Sequence, residues 1–277
     1  MKNQLGFMQG RLSPVVNGKI QAFPTHHWRE EFPAAELLGL SLMEWTLDHE
    51  AFEDNPLITK TGRAELRALQ RAHRLRIESL TADNMMQAPF WKAEAGKRED
   101  LQNELRVTIE SCAAIGLRMI VVPLVDNGSI VTPEQDKILF EGLHSLMPLM
   151  AASNVQIIFE SDYDPARLAE FIARYPEGAF GINFDMGNSA ALGWRPEVEI
   201  PLLATRIMNV HVKDRPKGGT TVPFGQGDVD FDAVFRLLRA AGYNGNYIMQ
   251  GARCPNGDDA GILASYISKV EGFLDGR

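Results

Sequence analysis

The chain has 277 residues, 45% hydrophobic and 23% charged, enough for a full-sized core in one large domain or two small ones. A net charge of −8 and a pI of about 5.3 argue against a nucleic-acid-binding surface, which needs clustered Lys and Arg. Two cysteines supply neither a disulfide framework nor a CxxC pair, MKNQLGFMQG lacks a signal peptide's apolar stretch, and no run is long enough to span a bilayer, so a cytoplasmic protein with no membrane partner is expected.

Short β-rich runs alternate with longer helical patterns from end to end. LGFMQ (5–9) is the first expected strand, then LMEWT (42–46), followed by the amphipathic AELRALQRAHRL with Leu66, Leu69 and His73 at helical spacing. RIESLT (76–81) and RMIVVPLV (118–125) come next; Thr132-Pro133 then places a cap residue before a proline at the first helical position. VQIIFE (155–160) precedes a second such start at Asp164-Pro165, and GINFD (181–185) and IMNVHV (207–212) follow. A helix with Phe231, Val234, Phe235 and Leu238 on one face leads to NYIMQ (246–250).

Three helix-to-strand joints, LLGLSLMEW, AAIGLRMIVV and AAGYNGNYIM, share a glycine after the helix and then a strand, a weak repeat at βα spacing. Eight such units suit an α/β fold, a single (β/α)8 TIM barrel over residues 1–277, better than a doubly wound open sheet with fewer strands. The glycine-rich RPKGGTTVPFGQGDVD is expected to be a long βα loop, not a domain boundary, and it lacks the residue order of a nucleotide P-loop.

In such a barrel the C-terminal strand ends converge on the active site. Glu160, Asp185, His211 and Gln250 stand at the ends of expected strands 5 to 8, and a carboxylate that ends an apolar strand is costly to bury unless a cation compensates it. Two carboxylates, an imidazole and an amide oxygen form an oxygen-rich set that suits Mn²⁺, with Mg²⁺, Co²⁺ and Zn²⁺ as alternatives.

LGFMQGRLSP, MEWTLD, FE (159–160), NFDMGN (183–188), VHVKD (210–214) and FGQGDVDF (224–231) together make the chain resemble the xylose isomerase-like TIM barrels, in their sugar phosphate isomerase/epimerase branch. The resemblance implies a divalent metal held by Glu160, Asp185, His211 and a fourth residue that is a second glutamate in that family. It also implies that the two glutamates act as acid and base on either side of the substrate. This chain has Gln250 at the fourth position, so the protein charge around the metal falls from −3 to −2 and one acid–base group is lost.

The expected chemistry is removal of a proton next to a carbonyl through a metal-stabilised enediolate, with Glu160 as the base. A one-base aldose–ketose isomerisation survives the glutamine, whereas epimerisation requires a further group such as His73, Asp83 or a water on the far face. A dehydratase acting on a polyol ketone and a non-catalytic sugar-binding barrel remain alternatives. A multinuclear phosphodiesterase is disfavoured by six histidines lying mostly outside strand ends.

Arg11, Lys213, Arg215 and Arg253, all shortly after strands, are expected to gather an anionic group of a small sugar or sugar phosphate, and Trp28 and Trp91 to line the site. His26 and His27 fall in the first βα loop, and a homo-oligomer is left open.

Overall fold

A computed structural model describes residues 5–275. Eight parallel strands close into a barrel in sequential order: β1 (Leu5–Met8), β2 (Leu42–Thr46), β3 (Arg76–Thr81), β4 (Met119–Leu124), β5 (Gln156–Ser161), β6 (Phe180–Asp185), β7 (Ile207–Val212) and β8 (Asn246–Met249). Each matches an expected strand to within one residue at either end. The helices are α1 (Glu31–Leu37), α2 (Lys60–His73), α3 (Asp83–Gln87), α4 (Ala95–Ile115), α5 (Pro133–Ser153), α6 (Pro165–Ala173), α7 (Met186–Leu192), α8 (Pro196–Leu203), α9 (Phe231–Ala240) and α10 (Asp259–Asp275). The fold is a TIM barrel.

Local sequence explains the joints. Thr132 and Asp164 cap α5 and α6 by accepting from Gln135 N–H at 3.2 Å and Arg167 N–H at 3.0 Å, each with proline at the first helical position. Gly116 and Gly242 end the α4 and α9 regions at φ of +84° and +74°, where a side chain would strain the backbone.

Alternation along each strand divides the apolar from the polar. Met43, Trp45, Phe159, Phe184, Val210 and Val212 face outward into the main apolar cluster beneath the helices. The intervening positions of the same strands hold Glu44, Glu160, Asn183, Asp185, Asn209 and His211, all buried. Glu44 on β2 touches both Asn209 and His211 on β7, and strands that are not neighbours in the ring can meet only through the lumen. A separate trio of Met8, Leu42 and Ile248 fills part of the interior, and Gly6 makes room for it: a Cβ there would lie 2.8 Å from the Leu42 side chain.

Two register irregularities fall at polar lumen residues, between Met43 and Glu44 and between Ile182 and Asn183. Such a shift re-aims a side chain locally, which suits groups that must converge on a point.

α7, which follows the β6 carboxylate directly, is tied to α8 by Ser189 Oγ donating to the buried carboxylate of Glu199. Burial raises Glu199 to about 7, against which the Ser189 hydroxyl acts only in part. The folded chain therefore keeps this proton up to about pH 7 while the unfolded chain releases it near 4.5, so the contribution is full below pH 4.5 and is lost as pH rises to 7. Glu199→Gln should flatten this segment, leaving the variant more stable than wild type at pH 8 by up to about 3 kcal/mol and no more stable at pH 4. Urea melts at the two pH values check it.

Candidate active site

The centre of the site is one imidazole between carboxylates. His211, fully buried on β7, has Nε2 2.7 Å from Glu44 Oε1, while Nδ1 lies 3.1 Å from Glu160 Oε2 and 3.8 Å from Asp185 Oδ2. Glu160, Asp185 and His211 each offer a ligand atom within 4.8 Å of the others, as β5, β6 and β7 deliver them to one point. Asp185 has two tasks: Oδ1 caps α7 by accepting from Asn188 N–H at 2.8 Å, and Oδ2 accepts from Lys213 Nζ at 3.2 Å.

Electrostatics follow from this crowding. Burial opposes charge on His211, but Glu44 and the contacts to Asp185 and Glu160 prevail and push the imidazole well above its usual value. Burial likewise opposes ionisation of Asp185, yet Lys213 and His211 hold it at about 2. Glu44 stays below the usual carboxylate range despite burial, because His211 faces it and Ser79 and Thr81 donate to it at 2.6 and 2.5 Å.

Two of the expected metal donors carry a buried atom without a hydrogen-bond partner: His211 Nδ1, whose contacts to the acids are misaligned for a hydrogen bond, and Gln250 Oε1. An imidazole nitrogen and an amide oxygen, unpartnered beside two carboxylates, form a donor set that fits a divalent cation in place of the imidazole's second proton. With Nε2 held by Glu44, Nδ1 is the ring nitrogen turned towards Glu160 and Asp185, where a cation would take the place of its proton.

Glu160 is held by amides. Asn183 donates to its Oε2 at 2.9 Å and Asn188 to its Oε1 at 2.7 Å. Asn209 links the two halves of the site, with its Nδ2 2.8 Å from Asn183 Oδ1 and 2.9 Å from Glu44 Oε2. Arg215 donates to Asn188 Oδ1 at 2.6 Å, so its charge is communicated to Glu160 through one amide. Asp214, between Lys213 and Arg215, anchors the glycine-rich loop by accepting from Gly225, Gly227 and Val229 N–H.

Above this lies a cavity of about 620 Å³ bordered by Glu160, Gln250, Asp83, Asn188, Lys213 and Arg215, among others. Lys19 joins the two other cations, while Asp83, Asp126 and Asp162 stand with Glu160 on the acidic border.

Four expected contacts are not on this border. Trp28 packs edge-on to Phe32 and Trp45 and is 2% exposed, and Trp91 is 1% exposed with Nε1 donating to Gly128 O. Both are packing residues of the layer outside the barrel, which corrects the lining role expected of them; indole rings this large gain more from that burial than from a wet cavity wall. Arg11 donates to Gly251 O and Ile20 O, and Arg253 to Gly10 O, Ser13 O and Asp259. These arginines fasten the β1 and β8 ends together, and their groups are turned to that work, not to an anion in the cavity. His73 pairs with Glu36 at 2.8 Å between α2 and α1, outside the barrel, and His27 pairs with Glu30 on the surface.

Glu44, Asn183, Asn188 and Asn209 were not singled out from sequence. Glu44 did leave a trace, a lone charge inside the apolar run LMEWT; the asparagines left none, since amides at strand and helix ends are ordinary.

A model of the xylose isomerase-like TIM barrel matches residues 32–265. The chain belongs to that family. Among relatives of this xylose isomerase-like barrel, the L-ribulose-5-phosphate 3-epimerase UlaE of Salmonella typhi is 27% identical over 243 residues, covering 80% of this chain and 81% of the relative. D-psicose 3-epimerase from Clostridium cellulolyticum H10, solved with D-tagatose, superposes with a TM-score of 0.78 at 11% identity, covering 98% of this chain and 99% of that one. A xylose isomerase-like TIM barrel protein from Mycobacterium smegmatis in complex with magnesium gives 0.71 at 16% identity, over 97% and 96% of the two chains. Sugar epimerases are therefore among its homologues, and the buried Glu160, Asp185 and His211 are its metal-site candidate.

If Glu44 fixes the imidazole, Glu44→Ala should lower the affinity for Mn²⁺, used as a probe, by about 10- to 100-fold. Glu44→Gln, whose amide oxygen can still accept from Nε2–H, should lose less. Isothermal titration of metal-stripped protein measures both; equal affinity in all three proteins would leave Glu44 without that role.

Proposed function

We propose that the chain is a divalent-metal-dependent isomerase or epimerase of a small sugar or sugar phosphate, working as one domain over residues 1–277. The observation that carries this reading is the placement of Glu160, Asp185 and His211 within 4.8 Å of one another, with Glu160 on the border of a cavity large enough for a pentose or hexose derivative. Gln250 is the fourth donor, on the strength of its unpartnered Oε1 and its place on the same cavity wall. Mn²⁺ is the preferred ion for such an oxygen-rich set, with Mg²⁺, Co²⁺ and Zn²⁺ as substitutes. When bound, the ion supplies polarisation of a substrate carbonyl and its neighbouring hydroxyl, acidifying the C–H between them.

The chain's own residues do the rest. Glu160 takes the C–H proton; Asn183 and Asn188 keep both its oxygens oriented while it does so. His211 and Asp185 stay fixed by Glu44 and by the α7 cap. Lys19, Lys213 and Arg215 are among the residues lining the cavity and favour a substrate with an anionic group, for which a phosphate is the natural choice. UlaE, named for a ketose phosphate, supports that choice. Two free cysteines, Cys112 buried and Cys254 partly so, agree with a reducing cytoplasmic location, and no described helix is long and apolar enough to cross a membrane.

The test is incubation with Mn²⁺ in D₂O of L-ribulose 5-phosphate, D-allulose and D-tagatose, with NMR and mass analysis of the products. Solvent deuterium should enter at the carbon next to the carbonyl, with no loss of water, and metal chelation should abolish it. Glu160→Gln should slow the exchange by at least about 100-fold. A product lighter by one water would point to a dehydratase instead, and no exchange in any sugar would remove the enzymatic reading. Gln250→Glu, which restores a third carboxylate to the donor set, should tighten Mn²⁺ binding measured by titration calorimetry.

A further inference from the structure

The glutamine at position 250 leaves the reaction short of a proton donor for the second face of the substrate carbon. Resting on the isomerase/epimerase reading, we propose that Asp83 is that donor, so that the enzyme is a two-base epimerase whose acids come from β5 and from the end of β3.

Position makes the case. Asp83 begins α3 two residues past β3, which is separated from β5, the strand that carries Glu160, by β4 alone and lies across the ring from β7 and His211. The metal-site donors occupy the ends of the consecutive strands β5 to β8; Asp83 borders the same cavity from the other half of the barrel. A sugar seated in that cavity would meet two carboxyl groups that arrive from different strands, Glu160 from β5 and Asp83 from past the end of β3. Asp83 is not one of the residues that group with Glu160, Asp185 and His211 as ligands.

Nor is it occupied by the fold. Only 6% exposed, it takes no side-chain hydrogen bond or ion pair from any described residue, unlike Glu44, Glu160, Asp185 and Asp48. A buried carboxyl left without a structural partner, on the wall of a substrate cavity, calls for a ligand or a proton.

Its environment supplies the proton. Burial raises Asp83 well above the usual carboxylate range, the nearby charges of Asp48, Glu160 and Glu44 act in the same direction, and His211 opposes them. Two carboxyl groups set differently, one held by two amides and one buried without a partner, are what a proton-in, proton-out reaction needs.

The step balances without a co-reactant. Glu160 removes the proton from the carbon, and the C–H electron pair becomes the C=C bond of the enediolate as the carbonyl oxygen takes negative charge. Asp83 O–H then protonates the carbon from the opposite side, the carbonyl re-forms, and the configuration is inverted. Glu160 ends protonated and Asp83 ionised; exchange with solvent restores both.

The experiment follows the same three sugars in D₂O with Mn²⁺, scoring label uptake into recovered substrate separately from formation of the epimer. Wild type should form a labelled epimer. Asp83→Asn should keep label uptake within severalfold while epimer formation falls by about 100-fold or more, with Mn²⁺ affinity by calorimetry unchanged. Asp83→Glu should recover part of the inversion. Epimer formation at the wild-type rate in Asp83→Asn would overturn the proposal, as would lost Mn²⁺ affinity, which would mark Asp83 as acting through the metal. Wild-type label uptake with retained configuration would overturn it too, leaving the one-base isomerase standing. Absence of uptake in wild type on every sugar would remove both readings.

Discussion

Three carboxylates and one imidazole buried inside a closed sheet are the constraint on which this structure turns. Water has been removed from Glu44, Asp185 and His211 almost entirely, and each would be costly to bury alone. They are tolerable only as a set, with His211 bridging the β2 acid on one side and the β5 and β6 acids on the other. The same contact spans the lumen between strands that share no ladder, so the charge cluster also fixes how the two sides of the barrel sit.

From that centre the order spreads outward through amides. Asn209 and Asn183 connect Glu44 to Glu160, and Asn188 connects Glu160 to Arg215, so two buried acids and a cavity cation belong to one hydrogen-bonded network. Neutral amides suit this use. They orient carboxylates without neutralising them, and they leave the cationic demand of the cluster for something else to meet. The glycine-rich loop, folded around Asp214, positions Arg215 from outside the network.

The polarity of the cavity has a chemical consequence. Cations stand at Lys19, Lys213 and Arg215, acids at Asp83, Asp126, Glu160 and Asp162. A substrate with an anionic end and a chain of hydroxyls would align itself in such a field before any specific contact formed, and the reacting carbon would come to rest among the acids. Gln250 adds an unpartnered amide oxygen to the same cavity without adding a negative charge.

The sequence by itself determined the eight strands, the proline-led helix starts, the glycine joints and the strand-end placement of the metal-site candidates Glu160, Asp185 and His211, because each depends on residues adjacent in the chain or on strand periodicity. It could not determine that Glu44 meets His211 across 167 positions, that Trp28 and Trp91 serve the packing layer, or that Arg11 and Arg253 fasten strand ends and leave the cavity to other cations. Those outcomes depend on which way a side chain points once the barrel has closed and on which partners then lie within reach. Curvature and register decide that, and local sequence does not encode it.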